Sequence, residues 1–249
     1  MTELPGKELA RELIEQSREA GMQTPMNAII DAAREGRLDD GAASRLICRL
    51  WAFERLYYYI YGGWGQGMEL NDYPPGVKYL FARQIMDDST HEMLYMDTML
   101  HKGWIEKQAD AFTHPCGIFA INCALSSYVY SLRYLASYPH DVRVAALNLG
   151  TKVMEMAWME PLAEALTDPE LKAVFTSQFV ENRSHISMGR RIVEEQVKTS
   201  FESELCRRVS LATRKDYLKF LNELVNMVFQ RETDAQSGQV RGLFQRVIE

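Results

Sequence analysis

The sequence lacks long apolar runs and has few cysteines, and each shortage removes a class of protein. No run of roughly 18 apolar residues occurs, so no segment is predicted to span a membrane. The polar, amphipathic start has no apolar core of a signal peptide, so we expect no leader. The four cysteines have no CxxC spacing and lie mostly on apolar helix faces; they are Cys48, Cys116, Cys123 and Cys206. They are predicted to be reduced thiols of a cytoplasmic protein.

Positive charge is also scarce. The chain has 28 Lys and Arg against 34 Asp and Glu, a net charge of −6, and no basic cluster, so nucleic acid is not the expected partner.

No Ser-His-Asp or Cys-His set stands at a family-specific spacing. The glycine-rich stretch 62–67 follows a predicted helix rather than a strand, so we interpret it as a flexible turn and possible lid, not a phosphate loop.

Helix signals dominate, and no convincing alternating strand pattern is present. The caps are predicted at Thr24, at Asp39 or Asp40, and at Asp168. The predicted helices are 6–20, 25–35, 39–61, 75–101, 118–137, 141–166, 169–198 and 201–231. Because no low-complexity linker separates them, and 47% of residues are hydrophobic, the sequence predicts one all-α domain over residues 1–249.

An acidic residue stands where an apolar one is expected. Glu54 lies inside helix 39–61, which is apolar nearly all the way round and is therefore predicted to be buried. A carboxylate in a dry core is costly unless it is paired or binds a metal. Two interpretations stay open: a salt bridge to Arg49, Arg55 or another arginine, or a metal site.

The pattern recurs about a hundred residues later, so the chain holds two similar units. Each unit has a Glu inside an apolar helix, followed one long helix later by an acidic or amide pair and a His. The first unit contains Glu54, Asp87, Asp88 and His91, and the second contains Glu155, Glu181, Asn182 and His185. On a helix the paired residues and the His share one face. Carboxylates and imidazoles that converge in a core are typical metal ligands, so the repetition favours a metal site.

These motifs resemble those of the ferritin-like di-iron carboxylate proteins, in particular the bacterial di-iron oxygenases that use Asp-Glu-x-x-His motifs. The resemblance covers about residues 39–198. It implies a ferritin-like four-helix bundle in which helix 118–137 is the crossover, with helices 1–36 and 201–231 as additions.

The resemblance also implies the metal ligands. Glu54, Asp88 and His91 would bind one metal ion, and Glu155 and His185 would bind the other. Asp87 and Glu181 match the carboxylates that hydrogen-bond the opposite histidines.

Two departures from the family pattern concern the ligands. Asp88 replaces the usual Glu, and Asn182 stands where the second unit should have a carboxylate. Three outcomes are open: Glu181 turns inward and binds, Asn182 binds through its amide oxygen, or the second position is lost. We expect Glu181 to compensate, which gives the ligand set Glu54, Asp88, His91, Glu155, Glu181 and His185.

The resemblance implies two iron ions, or manganese, and O2 as a co-substrate. We therefore predict an oxygenase or oxidase acting on a small organic metabolite, with an external electron donor or reductase. The alternatives are a non-catalytic or single-metal partner subunit of a multicomponent oxygenase, and an iron-handling ferroxidase. The residues expected around a substrate, for which core packing is the other interpretation, are Trp51, Tyr58, Tyr61, Gln84, Tyr95, Trp158 and Gln178. The amphipathic last helix is expected to cover the bundle or to form a homodimer seam.

Overall fold

The structure is a computed structural model that describes residues 5–120 and 122–230. Within these two ranges the chain forms helices and no strand, so the predicted all-α class is confirmed. The helices are α1 (Pro5–Met22), α2 (Asn27–Arg34), α3 (Asp40–Leu70), α4 (Pro75–His101), α5 (Gln108–Thr113), α6 (Cys123–Tyr134), α7 (His140–Ala146), α8 (Lys152–Ala165), α9 (Pro169–Ser177), α10 (Phe179–Gln196) and α11 (Ser200–Val228).

Side-chain caps set several helix starts. Asp39 accepts a hydrogen bond from the Ala42 amide at 2.7 Å, which confirms it as the cap of α3. Asp168 caps α9 in the same way, as predicted. The predicted cap at Thr24 is wrong, because α2 starts two residues later than expected, with Met26 at its N-cap.

The glycine-rich stretch 62–67 is helical, and α3 continues through it to Leu70. The predicted helix end at Tyr61 and the predicted flexible turn or lid are therefore wrong. A glycine inside a helix costs only about 1 kcal/mol. Buried contacts exceed that cost here, since Trp64 is fully buried and its indole N–H donates to the Leu132 carbonyl at 2.9 Å. Gly67 lets two backbones meet, because an added Cβ would lie 2.2 Å from the Ala136 oxygen.

Three predicted helices are interrupted. The helix predicted over 118–137 consists of α6 flanked by two short 3-10 segments, Ile118–Ala120 and Leu135–Ser137. The helix predicted over 169–198 breaks at Gln178 into α9 and α10. Between α7 and α8 the backbone adopts a π-helical segment, Leu147–Thr151, which immediately precedes Lys152. Such a segment inserts one extra residue and is common at functional sites.

The long helices pack side by side around a shared core. Helices α3 and α4 form a hairpin across a short loop, and α8 packs between α1, α9 and α10. Helix α11 lies on α6 and α7 and buries Tyr217, Phe220 and Leu224 against them. Of the two roles expected for the last helix, covering the bundle is the one seen, and the homodimer stays a prediction.

The cysteine and membrane predictions have mixed outcomes. Cys48, Cys116 and Cys206 are buried free thiols, but Cys123 is exposed, so its assignment to an apolar face is wrong.

Within the described ranges no single helix is long and apolar enough to cross a membrane. Only the bent pair Gln108–Ala120 and Cys123–Ser137, taken together, has the length and apolar composition of a span. The cytoplasmic location stays a prediction.

The contact between α1 and α8 requires a glycine, which gives a first testable prediction. An added Cβ at Gly21 would lie 2.6 Å from the Ala157 Cβ and 2.7 Å from the Met154 carbonyl oxygen. We expect Gly21→Ala to destabilise the fold by about 1–3 kcal/mol, because the helices must move apart. Gly65→Ala in α3 is the matched control, since nothing lies within 4 Å of its added Cβ. The control should gain roughly 0.5–1 kcal/mol. Urea unfolding of both variants measures this, and equal effects would contradict it.

Candidate metal centre

Four helices bring the predicted ligand residues into one region of the core. Glu54 comes from α3, Asp88 and His91 from α4, Glu155 from α8, and His185 from α10. Glu54, Asp88, His91 and His185 are all buried, with at most 4% of each residue exposed. Such a concentration of ionisable side chains in a core requires mutual pairing or a bound ion.

His91 is the most unusual of these residues, because neither of its ring nitrogens has a hydrogen-bond partner among the residues that the structure describes. Its Nδ1 atom lies 3.7 Å from Asp88 Oδ1 and 3.9 Å from Glu54 Oε1, which is too far for hydrogen bonds. Burial lowers the pKa of His91 to about 3, although the Asp88 carboxylate acts in the opposite direction. The imidazole is therefore neutral, which is the form that binds a metal ion.

Lys152 occupies the centre of the carboxylate group, and the sequence reasoning missed it. Its Nζ atom lies 3.2 Å from Asp88 Oδ1 and 3.2 Å from Glu155 Oε2, and its side chain is 1% exposed. Burial lowers the pKa of Lys152, but the carboxylates of Asp88, Glu155 and Glu54 outweigh it and raise the pKa well above its usual value. The ammonium is therefore charged. One signal was available, since Lys152 precedes Glu155 by three residues and must share its helix face.

No arginine that the structure describes forms a salt bridge with Glu54. Arg49 pairs with Glu223 at 2.9 Å, and Arg55 pairs with Glu92 at 3.2 Å. The Glu54 Oε2 atom is buried without a hydrogen-bond partner in the described part of the chain. Desolvation raises the pKa of Glu54, with Lys152 opposing this shift and the nearby carboxylate of Asp88 adding to it.

His185 makes the contact with Asp87 that the resemblance implies. Its Nε2 lies 3.0 Å from Asp87 Oδ2, and because a carboxylate can only accept, we place the ring proton on Nε2. The Nδ1 atom is buried and has no partner, so its lone pair is unused. Burial lowers the pKa of His185. The corresponding contact between Glu181 and His91 is absent, since both His91 nitrogens lack a partner.

The second unit holds fewer charges than the first. Asn182 is fully buried, its amide nitrogen lies 3.9 Å from Met159 Sδ, and its amide oxygen has no partner. Glu181 makes no hydrogen bond or ion pair with any residue that the structure describes, and one of its carboxylate oxygens is buried. Binding of a metal by Glu181 or Asn182 therefore stays a prediction.

Polar side chains predicted around a substrate are buried and mostly bonded to one another. Gln178 and Tyr95 are within hydrogen-bond distance, with the Gln178 amide donating to the Tyr95 hydroxyl at 3.0 Å. Gln84 accepts from the Asn148 amide at 3.1 Å, and its own amide nitrogen has no partner within the described ranges. These pairs join α4 to the helices of the second unit.

The aromatic residues predicted around a substrate pack in the core. Trp158 donates to the Tyr217 hydroxyl at 3.0 Å, and Trp51 packs edge-on against Phe112. The side chains of Tyr58 and Tyr61 lie outside the described residues. The structure has three surface cavities whose lining residues differ from those predicted around a substrate. Their lining residues include Tyr130, Tyr134 and Met156.

The donor set contains two pairs of atoms at the separation expected for ligands of one metal ion. Two ligand atoms that each lie about 2.1 Å from the same metal ion are roughly 3–4 Å apart. The Nδ1 atom of His91 lies at such distances from Asp88 Oδ1 and Glu54 Oε1, which are 3.7 and 3.9 Å away. No three His, Cys, Asp or Glu side chains in residues 5–120 and 122–230 converge on one point as the ligands of a bound ion do. On the Glu155 side the Lys152 ammonium already fills the position between the carboxylates.

Comparison of the chain with protein-family models, curated proteins and solved structures finds no match.

Proposed function

We propose that the chain is a metal-dependent oxidoreductase of the ferritin-like type, in which a non-haem iron or manganese centre supports O2-dependent oxidation of a small organic molecule. The observation that carries the proposal is His91. Its neutral imidazole is buried, has no hydrogen-bond partner on either nitrogen within the described part of the chain, and faces two buried carboxylates at 3.7 and 3.9 Å. A protein core rarely leaves such groups unsatisfied without a ligand.

The ligand motif supports a redox metal rather than a structural zinc site. Carboxylates with imidazole, and no thiolate, are typical of non-haem iron and manganese sites, where open positions remain for O2 and substrate. The four cysteines do not contribute, since three are buried apart from the centre and Cys123 is exposed. When bound, the metal supplies O2 activation, and oxidation requires an external electron donor.

The residues of this chain have separate tasks under the proposal. His91, Asp88 and Glu54 would hold a metal ion, and Asp88 also pairs with Lys152 at 3.2 Å. Asp87 fixes the His185 ring by accepting from Nε2–H at 3.0 Å. The surrounding apolar and aromatic side chains, such as Trp158, exclude water and strengthen each electrostatic contact.

The proposal predicts that metal binding depends on His91. We expect purified wild-type protein to bind Fe²⁺ anaerobically and to oxidise it on exposure to O2, and His91→Ala to lose at least 10-fold in Fe²⁺ affinity. Anaerobic titration with Fe²⁺, followed by elemental analysis after gel filtration, measures this. His101→Ala is the matched control on the same helix, because that side chain is 80% exposed and pairs with Glu170. A wild-type chain that stays free of metal after this treatment would end the proposal.

A second function is favoured by Lys152 and Asn182, which both depart from a two-metal site. The chain would then be a non-catalytic or single-metal partner subunit of a multicomponent oxygenase. The two functions differ in the oxidation step. If Fe²⁺ bound to the wild-type chain is oxidised by O2 no faster than free Fe²⁺, the partner-subunit function is supported; faster oxidation that His91→Ala abolishes supports the enzyme.

A further inference from the structure

The ammonium of Lys152 lies between a carboxylate of the first unit and a carboxylate of the second. Its Nζ atom is 3.2 Å from Asp88 Oδ1 and 3.2 Å from Glu155 Oε2, and it is buried among them. A cation that bridges one acidic side chain from each unit stands in the place that a second metal ion would need. The two arginines nearest to Glu54 in the sequence, Arg49 and Arg55, pair with Glu223 and Glu92.

The charges of the inner residues support the same conclusion. When they are ionised, as ligands of a bound ion are, Glu54, Asp88 and Glu155 supply three negative charges, and Lys152 cancels one of them. Two negative charges remain, which is what one divalent ion neutralises. With two divalent ions and Lys152, the same carboxylates would leave two uncompensated positive charges in a buried site, which is strongly unfavourable.

The second unit departs from a metal site in two independent ways that have the same electrostatic effect. Asn182 removes a negative charge, and Lys152 adds a positive one. Either change alone weakens binding of a cation beside Glu155. Without an inward turn of Glu181, they leave that position with His185 and one carboxylate that already pairs with an ammonium.

We propose that Lys152 replaces one of the two metal ions, so that the centre binds a single divalent ion at His91, Asp88 and Glu54. This inference rests on the proposed function and goes beyond it, because it assigns the number of ions and the residue that sets that number. The compensation expected from Glu181 is then unnecessary. An ammonium carries one positive charge where a second metal ion would carry two, so the ammonium and one divalent ion together balance the three carboxylates.

The test is the number of Mn²⁺ ions bound per chain. Anaerobic titration is followed by the EPR signal of free Mn²⁺, and the thermal midpoint is recorded with and without Mn²⁺. We expect one ion for the wild type and one for Lys152→Arg, which keeps the charge. Lys152→Met removes the charge at similar length, and we expect a second, weaker ion and a larger rise in thermal midpoint on adding Mn²⁺. Lys102→Met, which breaks a surface pair with Asp168, is the control and should bind one ion.

Each result has a separate meaning. Two ions in the wild type would overturn the inference and leave the proposed function standing, whether or not Lys152→Met folds. One ion in both the wild type and folded Lys152→Met would also overturn it, because removing the ammonium would then create no position. No ion in any variant would contradict the proposed function itself.

Discussion

Replacing Asp88 with asparagine is expected to destabilise the metal-free protein by about 3 kcal/mol, as for breaking a buried ion pair. The Asp88 carboxylate lies 3.2 Å from the Lys152 ammonium, and both side chains are at most 1% exposed. Asparagine keeps the shape and removes the charge, so the ammonium loses its most buried counter-charge. Glu155 remains beside Lys152, which places the loss at the lower end of the range for such pairs. Chemical unfolding in the presence of a chelator measures it.

The matched control uses the same substitution on the same helix. Asp97 lies on α4 nine residues after Asp88 and is exposed. We expect Asp97→Asn to change stability by less than about 0.5 kcal/mol. The two variants should also differ in Mn²⁺ binding, which Asp88→Asn weakens and Asp97→Asn leaves unchanged. Equal stability for the two variants would show that the Asp88 carboxylate does not pair with Lys152 in solution.

The second large effect is expected at the buried pair of Arg49 and Glu223, which joins α3 to α11. Their side chains are 0% and 7% exposed, and Arg49 Nη2 lies 2.9 Å from Glu223 Oε1. Arg49→Met leaves a buried carboxylate without its cation, and we expect a loss of about 3–5 kcal/mol. The Ala120 carbonyl also loses a donor at 3.3 Å. The double variant Arg49→Met with Glu223→Leu should regain most of this loss, because no uncompensated charge remains.

A surface pair provides the comparison for Arg49. Arg207 donates to both oxygens of Glu12, but the two side chains are 38% and 31% exposed. Because water screens this pair, Arg207→Met should cost about 1 kcal/mol or less. A double-mutant cycle in urea gives the coupling energy of each pair. A coupling energy for Arg49 and Glu223 no larger than that for Arg207 and Glu12 would refute the prediction.

Local signals predicted much of the fold. Caps and prolines placed the bounds of α4 correctly, and the caps Asp39 and Asp168 were identified, because these depend on neighbouring residues alone. The extension of α3 through 62–67 was not predicted, because it depends on the hydrogen bond that the buried Trp64 indole donates to the Leu132 carbonyl, far away in the sequence. Helix propensity carries no information about such contacts.

The candidate site was predicted in part for a similar reason. The spacing of Glu54, Asp88, His91 and His185 identified residues that the fold does bring together in its core. Lys152 was missed because lysines are mostly exposed and a motif search for metal ligands passes over them. The burial of Lys152 can be inferred only once the helix face that it shares with Glu155 is known to point at Asp88.

The π-helical segment Leu147–Thr151 divides one long helix into two parts with different rotational phase. One extra residue turns everything after it by about 100° around the helix axis. The face of α7 that packs on α11 and the face of α8 that presents Lys152 and Glu155 are therefore offset by a fixed angle. An uninterrupted α-helix with the same packing on α11 would turn the Lys152 ammonium away from Asp88.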